Sequence, residues 1–263
     1  MELKVIRTST PISADRRILH LKSLPYSQEL YLENLVPDAA SYEIYDDTKL
    51  VGYALVSSEK TIIEFHIDPD AKALTDEALS QLVSVSKATK ALCKSFDDLF
   101  VTACSNLNWR SEPGGCLYRR FEKASNTLSN IQHETATTED INAIVEMHDG
   151  FFDGTSEILT YFEPNALLFK YHLQNELVGC GIIKQINAGF DFYDIGYVVK
   201  KSRRQKGIAT HIAIHLKEYC LTQGWQPVAG CNISNIASQK TLKNAGFISE
   251  HTILNYSKSD ALG

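Results

Sequence analysis

Asp194-Ile195-Gly196-Tyr197-Val198-Val199 is followed by a basic run, Lys200-Lys201-Ser202-Arg203-Arg204-Gln205-Lys206, and then by Gly207-Ile208-Ala209-Thr210. The first six residues read as a strand. From Gly207 to Gln223 the apolar residues Ile208, Ile212, Leu216 and Tyr219 recur at helical spacing, so a strand runs through a basic turn into an amphipathic helix. The first N–H groups of a helix lack internal partners, and the aligned peptide dipoles make that end attractive to anions. Gly207 lets backbone approach a phosphate closely, Ala209 is small, and Arg204 and Lys206 add positive charge. Taken singly, a basic run reads as a solvated loop and one glycine as an eased turn. The spacing fits neither GxxxxGK[ST] nor GxGxxG, so P-loop and dinucleotide readings fail.

Downstream, Val228–Cys231 reads as a strand and Asn235–Asn244 as a short helix, with Gly246 placed to cap its end in a left-handed conformation. Two motifs stand in order: Arg204-x-x-Gly207-x-Ala209, and Asn235-Ile236-Ala237-Ser238 leading to Asn244-Ala245-Gly246-Phe247. Over roughly residues 130–256 this pattern resembles the GNAT superfamily of N-acyltransferases, whose hallmark is [Q/R]xxGx[G/A] between the fourth strand and the next helix.

The resemblance implies a twisted mixed sheet whose fourth and fifth strands splay apart to admit acetyl-CoA as co-substrate. It implies a cofactor set of Val198, Val199, Arg204, Gln205, Lys206, Gly207, Ile208, Ala209, Thr210, Asn235 and Ser238. The N–H groups of Gln205, Gly207, Ala209 and Thr210 would hold the pyrophosphate, and Val198 and Val199 would pair with the pantetheine arm. A primary amine of a small molecule or peptide would attack the thioester without a covalent enzyme intermediate. Such an amine must lose a proton; Asp194 lies on the fourth strand, where several members of the family place a carboxylate, and the alternative is that it simply faces solvent or pairs with a lysine. The tyrosine that often protonates the departing thiolate in this family falls at Leu242 here. The general acid is therefore unassigned, with Tyr193, Tyr197 and Ser238 as substitutes. Loss of that tyrosine favours the alternative of a non-catalytic acyl-CoA sensor or scaffold. A tandem peptidyl transferase is a third reading; it would need an aminoacyl-tRNA.

Both halves carry the same order of elements. Ser41–Tyr45, Leu50–Val56 and Thr61–Ile67 read as strands and Ala73–Leu92 as a helix, with Leu99–Cys104 a further strand. Leu167–Leu173 and Leu177–Ile183 are strands in the second half, and Ile131–Thr135 opens it. Thr137 or Thr138 caps a helix over Glu139–His148. Leu50-Val51-Gly52 matches Leu177-Val178-Gly179 at an offset of 127. Residues 1–40 are poorly periodic, with one or two helices. The polar stretch Lys123–Asn130 marks the boundary, giving domains 1–128 and 129–263 in an α/β (α+β) architecture. Each domain is expected to be a twisted mixed sheet flanked by helices. The turn at Asp68–Leu74 in the first half has no glycine, and Asp68, Asp70, Asp76 and Glu77 would satisfy the helix dipole and repel a pyrophosphate. That domain is expected to lack a CoA site and to serve structurally or to wall the acceptor pocket.

The 263 residues suit two modest domains, and 44% hydrophobic with 22% charged residues is ordinary for a globular chain. A net charge of −6 argues against nucleic acid. No apolar run approaches the ~20 residues of a membrane span, and Met1–Arg17 has no secretory h-region, so the expectation is a cytoplasmic protein. No CxxC pair occurs among the six cysteines. Cys104, Cys180 and Cys231 fall in strand-like segments as buried small hydrophobes. His211 and His215 stand at i, i+4 without the glutamate of HExxH, so no metal is expected. Trp225 reads as packing.

Overall fold

A computed structural model describes residues 2–124 and 128–258. In the first half, β1 (Leu3–Thr8), α1 (Ala14–Ser23) and α2 (Leu30–Leu35) precede β2 (Ala40–Asp46), β3 (Lys49–Val56) and β4 (Thr61–Ile67). A 3-10 turn over Pro69–Leu74 leads into α3 (Thr75–Ser86), β5 (Lys90–Lys94), α4 (Asp98–Asn106) and β6 (Arg110–Phe121). The second half opens with β7 (Gln132–Thr135), α5 (Ile141–Met147), α6 (Thr155–Leu159), β8 (Ala166–Leu173), β9 (Glu176–Gln185) and β10 (Phe192–Val199). It closes with α7 (Ile208–Thr222), β11 (Gln226–Asn232), α8 (Ile236–Asn244) and β12 (Phe247–Ser257). Among the described residues no helix is long and apolar enough to cross a membrane.

The two halves use one scheme. Strands β1 to β4 are antiparallel neighbours, and β4 then runs parallel to β5 only through Thr61↔Lys90 and Ile62↔Ala91. Strands β7 to β10 are likewise antiparallel, and β10 runs parallel to β11 only from Phe192↔Gln226 to Asp194↔Val228. The repeated Leu-Val-Gly has a packing reason. Gly52 lies opposite Ile67 and Gly179 opposite Val199. A Cβ at Gly52 would stand 2.4 Å from the carbonyl oxygen of His66, and one at Gly179 2.7 Å from that of Val198, so neither strand tolerates a side chain there.

Each half buries its own core. Ile44, Phe65, Leu79, Leu82 and Phe100 are at or near zero exposure in the first, and Ile144, Ile158, Leu168 and Cys180 in the second. Ile208, Ile212 and Leu216 of α7 are buried as their spacing requires, and Tyr219 is half-buried. Thr137 caps a short 3-10 turn ahead of α5 through a reciprocal capping box with Asp140.

Several expectations are corrected. The helix expected to reach Leu92 ends at Ser86, because Lys87 turns left-handed (φ 59°), and in β5 beyond it Ala91 and Cys93 are buried two residues apart, at strand spacing. The strand expected at Leu99–Cys104 is α4. Asp97 accepts a hydrogen bond from the Phe100 N–H, and Phe100, Ala103 and Cys104 are buried at i, i+3, i+4. Cys104 is therefore helical. All six cysteines are free, five buried and Cys231 half-buried.

The chain forms two compact units. The first comprises Met1–Cys116 with His251–Gly263, the second Leu117–Glu250. The boundaries fall within β6 and within β12. In the first unit the end of β12 pairs with β5 at Ile253↔Lys94 and Leu254↔Cys93. Of the expected linker Lys123–Asn130, Ser125–Thr127 lie outside the described residues.

Candidate active site

The second unit has a cavity of about 1000 Å³ where β10 and β11 part. Their last shared pair is Asp194↔Val228. Lys200 N–H donates to the Val178 carbonyl on β9, and hydrogen-bonding direction alternates along a strand, so the backbone groups of Tyr197 and Val199 turn toward the gap, while those of Val198, expected to pair with the pantetheine arm, turn to Cys180 on β9. At the head of the gap stands α7. Its N-cap, Gly207, has φ 79°, and no side chain caps this end. Gln205 is also left-handed, with φ 61°. Alternating backbone hands of this kind turn successive N–H groups inward into an anion-binding concavity. A Cβ at Gly207 would meet nothing nearer than a Leu128 methyl at 3.8 Å, so the left-handed φ rather than crowding calls for glycine here.

Of the expected cofactor set, Val198, Val199, Arg204, Gln205, Gly207, Ile208, Ala209, Thr210, Asn235 and Ser238 all line this cavity. Lys206 does not; its exposed side chain lies outside the lining. The basic run does more than present charge. Lys200 and Arg203 both bind Glu176, and Arg204 donates from Nε to the Val199 carbonyl at 3.0 Å and pairs with Asp149 at 3.0 Å. Arg204 thus pins the turn to the end of β10. Asn235 caps α8 by accepting from the Ser238 N–H at 3.0 Å.

Asp194 is half-buried at the foot of the gap, opposite Lys184 in the β9 register, and is not among the cavity-lining residues. The Tyr161 phenol is pushed up by burial, then by the carboxylates of Glu157 and Asp194. Leu242 lines the cavity but is buried to 1% exposure. Tyr193 stacks on Trp225 with ring centroids 4.0 Å apart and planes at 10°, which places both in the packing below the gap. Tyr197 reaches from β10 to α8: its hydroxyl lies 3.3 Å from Ser238 Oγ and donates to the Ser238 carbonyl at 3.4 Å. Burial pushes this phenol up to about 12.

His215 is engaged by Tyr171, whose hydroxyl lies 2.6 Å from its Nδ1, and its ring packs on His133 at 3.7 Å. His211 Nδ1 accepts from the Leu128 N–H. Among the described residues no group of His, Cys, Asp or Glu is placed to hold a metal ion. Burial pushes the Cys180 and Cys220 thiols up to about 12, which keeps them protonated and unreactive.

The corresponding turn of the first unit is closed. Pro69–Leu74 coils as a 3-10 helix that runs directly into α3, with the Ala71 N–H donated to Asp68 and the Thr75 N–H to Lys72. Asp68 is held by Arg16 at 2.9 Å and by His66 at 3.3 Å. Nearby, Glu64, with 1% of its side chain exposed, takes two hydrogen bonds from Arg17 and one from Tyr53. Sequence reasoning passed over Glu64 and Arg17. A glutamate amid Ile62, Ile63, Phe65 and Ile67 is the signal that was there to read.

Two family models match the chain. One, described as an acetyltransferase (GNAT) domain, covers residues 14–121; the other, described as the acetyltransferase (GNAT) family, covers residues 132–247. No curated protein matches the sequence. Among solved structures, an acetyltransferase of the GNAT family from Colwellia psychrerythraea superposes with a TM-score of 0.86 at 21% identity, over 98% of this chain and 99% of that one. A tandem GNAT protein from the clavulanic acid biosynthesis pathway gives 0.67 at 12% identity, over 98% of both chains. A GCN5-related N-acetyltransferase from Sphaerobacter thermophilus gives 0.59 at 13%, over 94% of this chain and 85% of that one. At these identities the likeness is one of fold: a mixed α/β arrangement with a twisted open sheet flanked by helices.

Proposed function

We propose, for a chain that belongs to the GNAT acetyltransferase family and carries two such domains in tandem, that its second domain moves an acetyl group from acetyl-CoA to a primary amine of a small molecule or peptide. The observation that carries this reading is the uncapped, glycine-opened start of α7 at the head of the gap between β10 and β11. Acetyl-CoA supplies an activated thioester. The first-turn N–H groups from Gln205 to Thr210 bind its pyrophosphate. The gap-facing backbone of Tyr197 and Val199 offers strand-like pairing to the amides of the pantetheine arm. Asn235 and Ser238 line the opposite wall from α8. Asp194 takes the proton that the attacking amine must lose.

The first domain lacks these features at the matching turn, and its role in this reading is structural. A thermal-shift titration with acetyl-CoA, followed by a thiol-release assay against a panel of amines, tests the proposal. Stabilisation by acetyl-CoA and release with at least one amine is the expected result. Leu242 favours a second reading, a non-catalytic acyl-CoA sensor. That reading expects stabilisation with no thiol release for any amine.

A further inference from the structure

We infer that Tyr197 is the proton donor to the departing thiolate, delivering from strand β10 the phenol that α8 lacks. The inference rests on the acyl-transfer reading above. In the β9 register Tyr197 stands opposite Gly181, where a Cβ would meet Leu216 and Ile212 of α7, so its ring lies on the α7 side of the sheet. From there its hydroxyl reaches α8, 3.3 Å from Ser238 Oγ. Ser238 and Leu242 are four residues apart on that helix and therefore share a face. The phenol thus arrives beside the position where Leu242 supplies only a hydrocarbon. Tyr197, Ser238, Thr241 and Leu242 all line the cavity.

Of the other two candidates, Ser238 carries an aliphatic hydroxyl, a far weaker acid than a phenol, and is Tyr197's own hydrogen-bond partner. Tyr193 is stacked flat on Trp225 below the gap. Asp194 stands opposite Lys184 in the β9 register, three residues from Tyr197, an odd number in strand alternation, and so faces the other side of the sheet. Base and acid are then separated by the sheet itself, which suits an amine arriving on one side and a thiol leaving on the other.

The step balances. The amine nitrogen forms a bond to the acyl carbon and gives up a proton to the base. The carbon–sulfur bond breaks, its electron pair goes to sulfur, and that sulfur takes the Tyr197 proton. The tyrosinate is reprotonated from solvent through the Ser238 hydroxyl. A phenol held near 12 by burial stays protonated at neutral pH until the thiolate forms.

The test compares the wild type, Tyr197→Phe and the double variant Tyr197→Phe/Leu242→Tyr. CoA itself is the probe, its thiol titrated in the bound state by the ultraviolet absorbance of the thiolate. A phenol that donates to sulfur lowers the bound thiol's pKa, so Tyr197→Phe should raise it by about one unit, the size of one hydrogen bond to a charged atom. In turnover, kcat should fall about 100-fold with the KM for acetyl-CoA little changed. Adding Leu242→Tyr to Tyr197→Phe should recover part of that loss. Calorimetric binding of CoA by wild type and variant alike, with identical thiol titrations, overturns the proposal while leaving the acyl-CoA reading intact. Failure of the wild type to bind CoA overturns both.

Discussion

Lys217 Nζ lies 2.6 Å from the carbonyl oxygen of Ala245 and 2.8 Å from that of Glu122, with the rings of Phe121 and Phe247 flanking it. A lysine with 3% exposure on α7 thereby closes the end of α8 and the exit of β6. No carboxylate balances it in these contacts; carbonyl dipoles and aromatic faces do. Lys217→Met keeps much of the volume but leaves two carbonyls without this donor. A buried orphaned acceptor costs roughly 1–3 kcal/mol, so the variant should lose about 2–4 kcal/mol. Urea unfolding measures this, and a loss under about 0.5 kcal/mol would show that water or a shifted backbone satisfies both carbonyls.

Gly207→Val should abolish the rise in melting temperature that acetyl-CoA produces. The native φ of 79° suits glycine, and a branched side chain would stand over the N–H groups at the start of α7. The variant's own melting temperature shows whether it is folded. Calorimetry that finds wild-type affinity for acetyl-CoA in a folded Gly207→Val would remove the pyrophosphate site from this turn.

What made this turn legible in sequence was locality. Gly207 and Ala209 act through their own backbone and Asn235 through a side-chain cap three residues on, so spacing is enough to read them. Strands β6 and β12 were not legible for the opposite reason. The end of β12 finds its partner Lys94 about 160 residues away, and Pro113-Gly114-Gly115 gives β6 the composition of a turn. Helix α4 was misread because Leu99–Cys104 is apolar on both periods; the Asp97 cap decides it. Lys206 has the right chemistry but is exposed and outside the cavity lining, while the left-handed residues on either side of it turn backbone toward the gap. Lys217 looks like a surface residue in sequence, and only tertiary packing buries it, whereas Glu64 is marked by its apolar neighbours.

Acid should unfold the protein through its buried imidazoles before its carboxylates. Burial lowers His20 to about 3, with Lys94 adding to it, and lowers His215 to about 4, with His133 and His211 adding to it. Glu64, also beside His20, pulls the other way. A histidine whose folded pKa is depressed is neutral in the folded chain while the unfolded chain takes a proton. Its contribution is therefore complete above 6.5 and is lost as pH falls toward 4. Glu64 follows lower down. Burial raises its carboxyl, but the hydrogen bonds and charge of Arg17, and then Lys94, outweigh that and hold it at about 2, so its share is lost between 4.5 and 2. Melting temperature should fall as pH drops below 6.5, and His20→Phe should flatten the upper part of that fall. A wild-type melting temperature constant from pH 6.5 to 4.5 would refute the assignment.

Asp194→Asn should lower kcat about 100-fold or more near neutral pH and leave acetyl-CoA affinity within a few-fold. The reason is position: Asp194 sits at the last β10–β11 pair and outside the cavity lining, so it touches none of the surface assigned to CoA. The acid limb of the kcat profile should disappear with it. An unchanged rate and pH profile would hand proton removal to water or another group.

One acetyl-CoA should bind per chain, and the second unit should hold it. Both units place a glycine of the same Leu-Val-Gly against the strand that leads to their turn, and in both the strand ends with an N–H donated back, Asp68 to Val51 and Lys200 to Val178. They part company at the next residues. After Lys200 the backbone passes through left-handed Gln205 and Gly207 and presents an uncapped helix start. After Asp68 it coils at once into a 3-10 helix, which uses the Ala71 and Thr75 N–H groups internally and continues into α3. A pyrophosphate approaching there meets Asp68, Asp70, Asp76 and Glu77, four carboxylates instead of convergent donors. Titration calorimetry on the whole chain should therefore give a stoichiometry of one, and Gly207→Val should reduce it to zero. A stoichiometry of two in the wild type, with one site surviving Gly207→Val, would mean that the first unit binds acetyl-CoA by some other route than its helix turn.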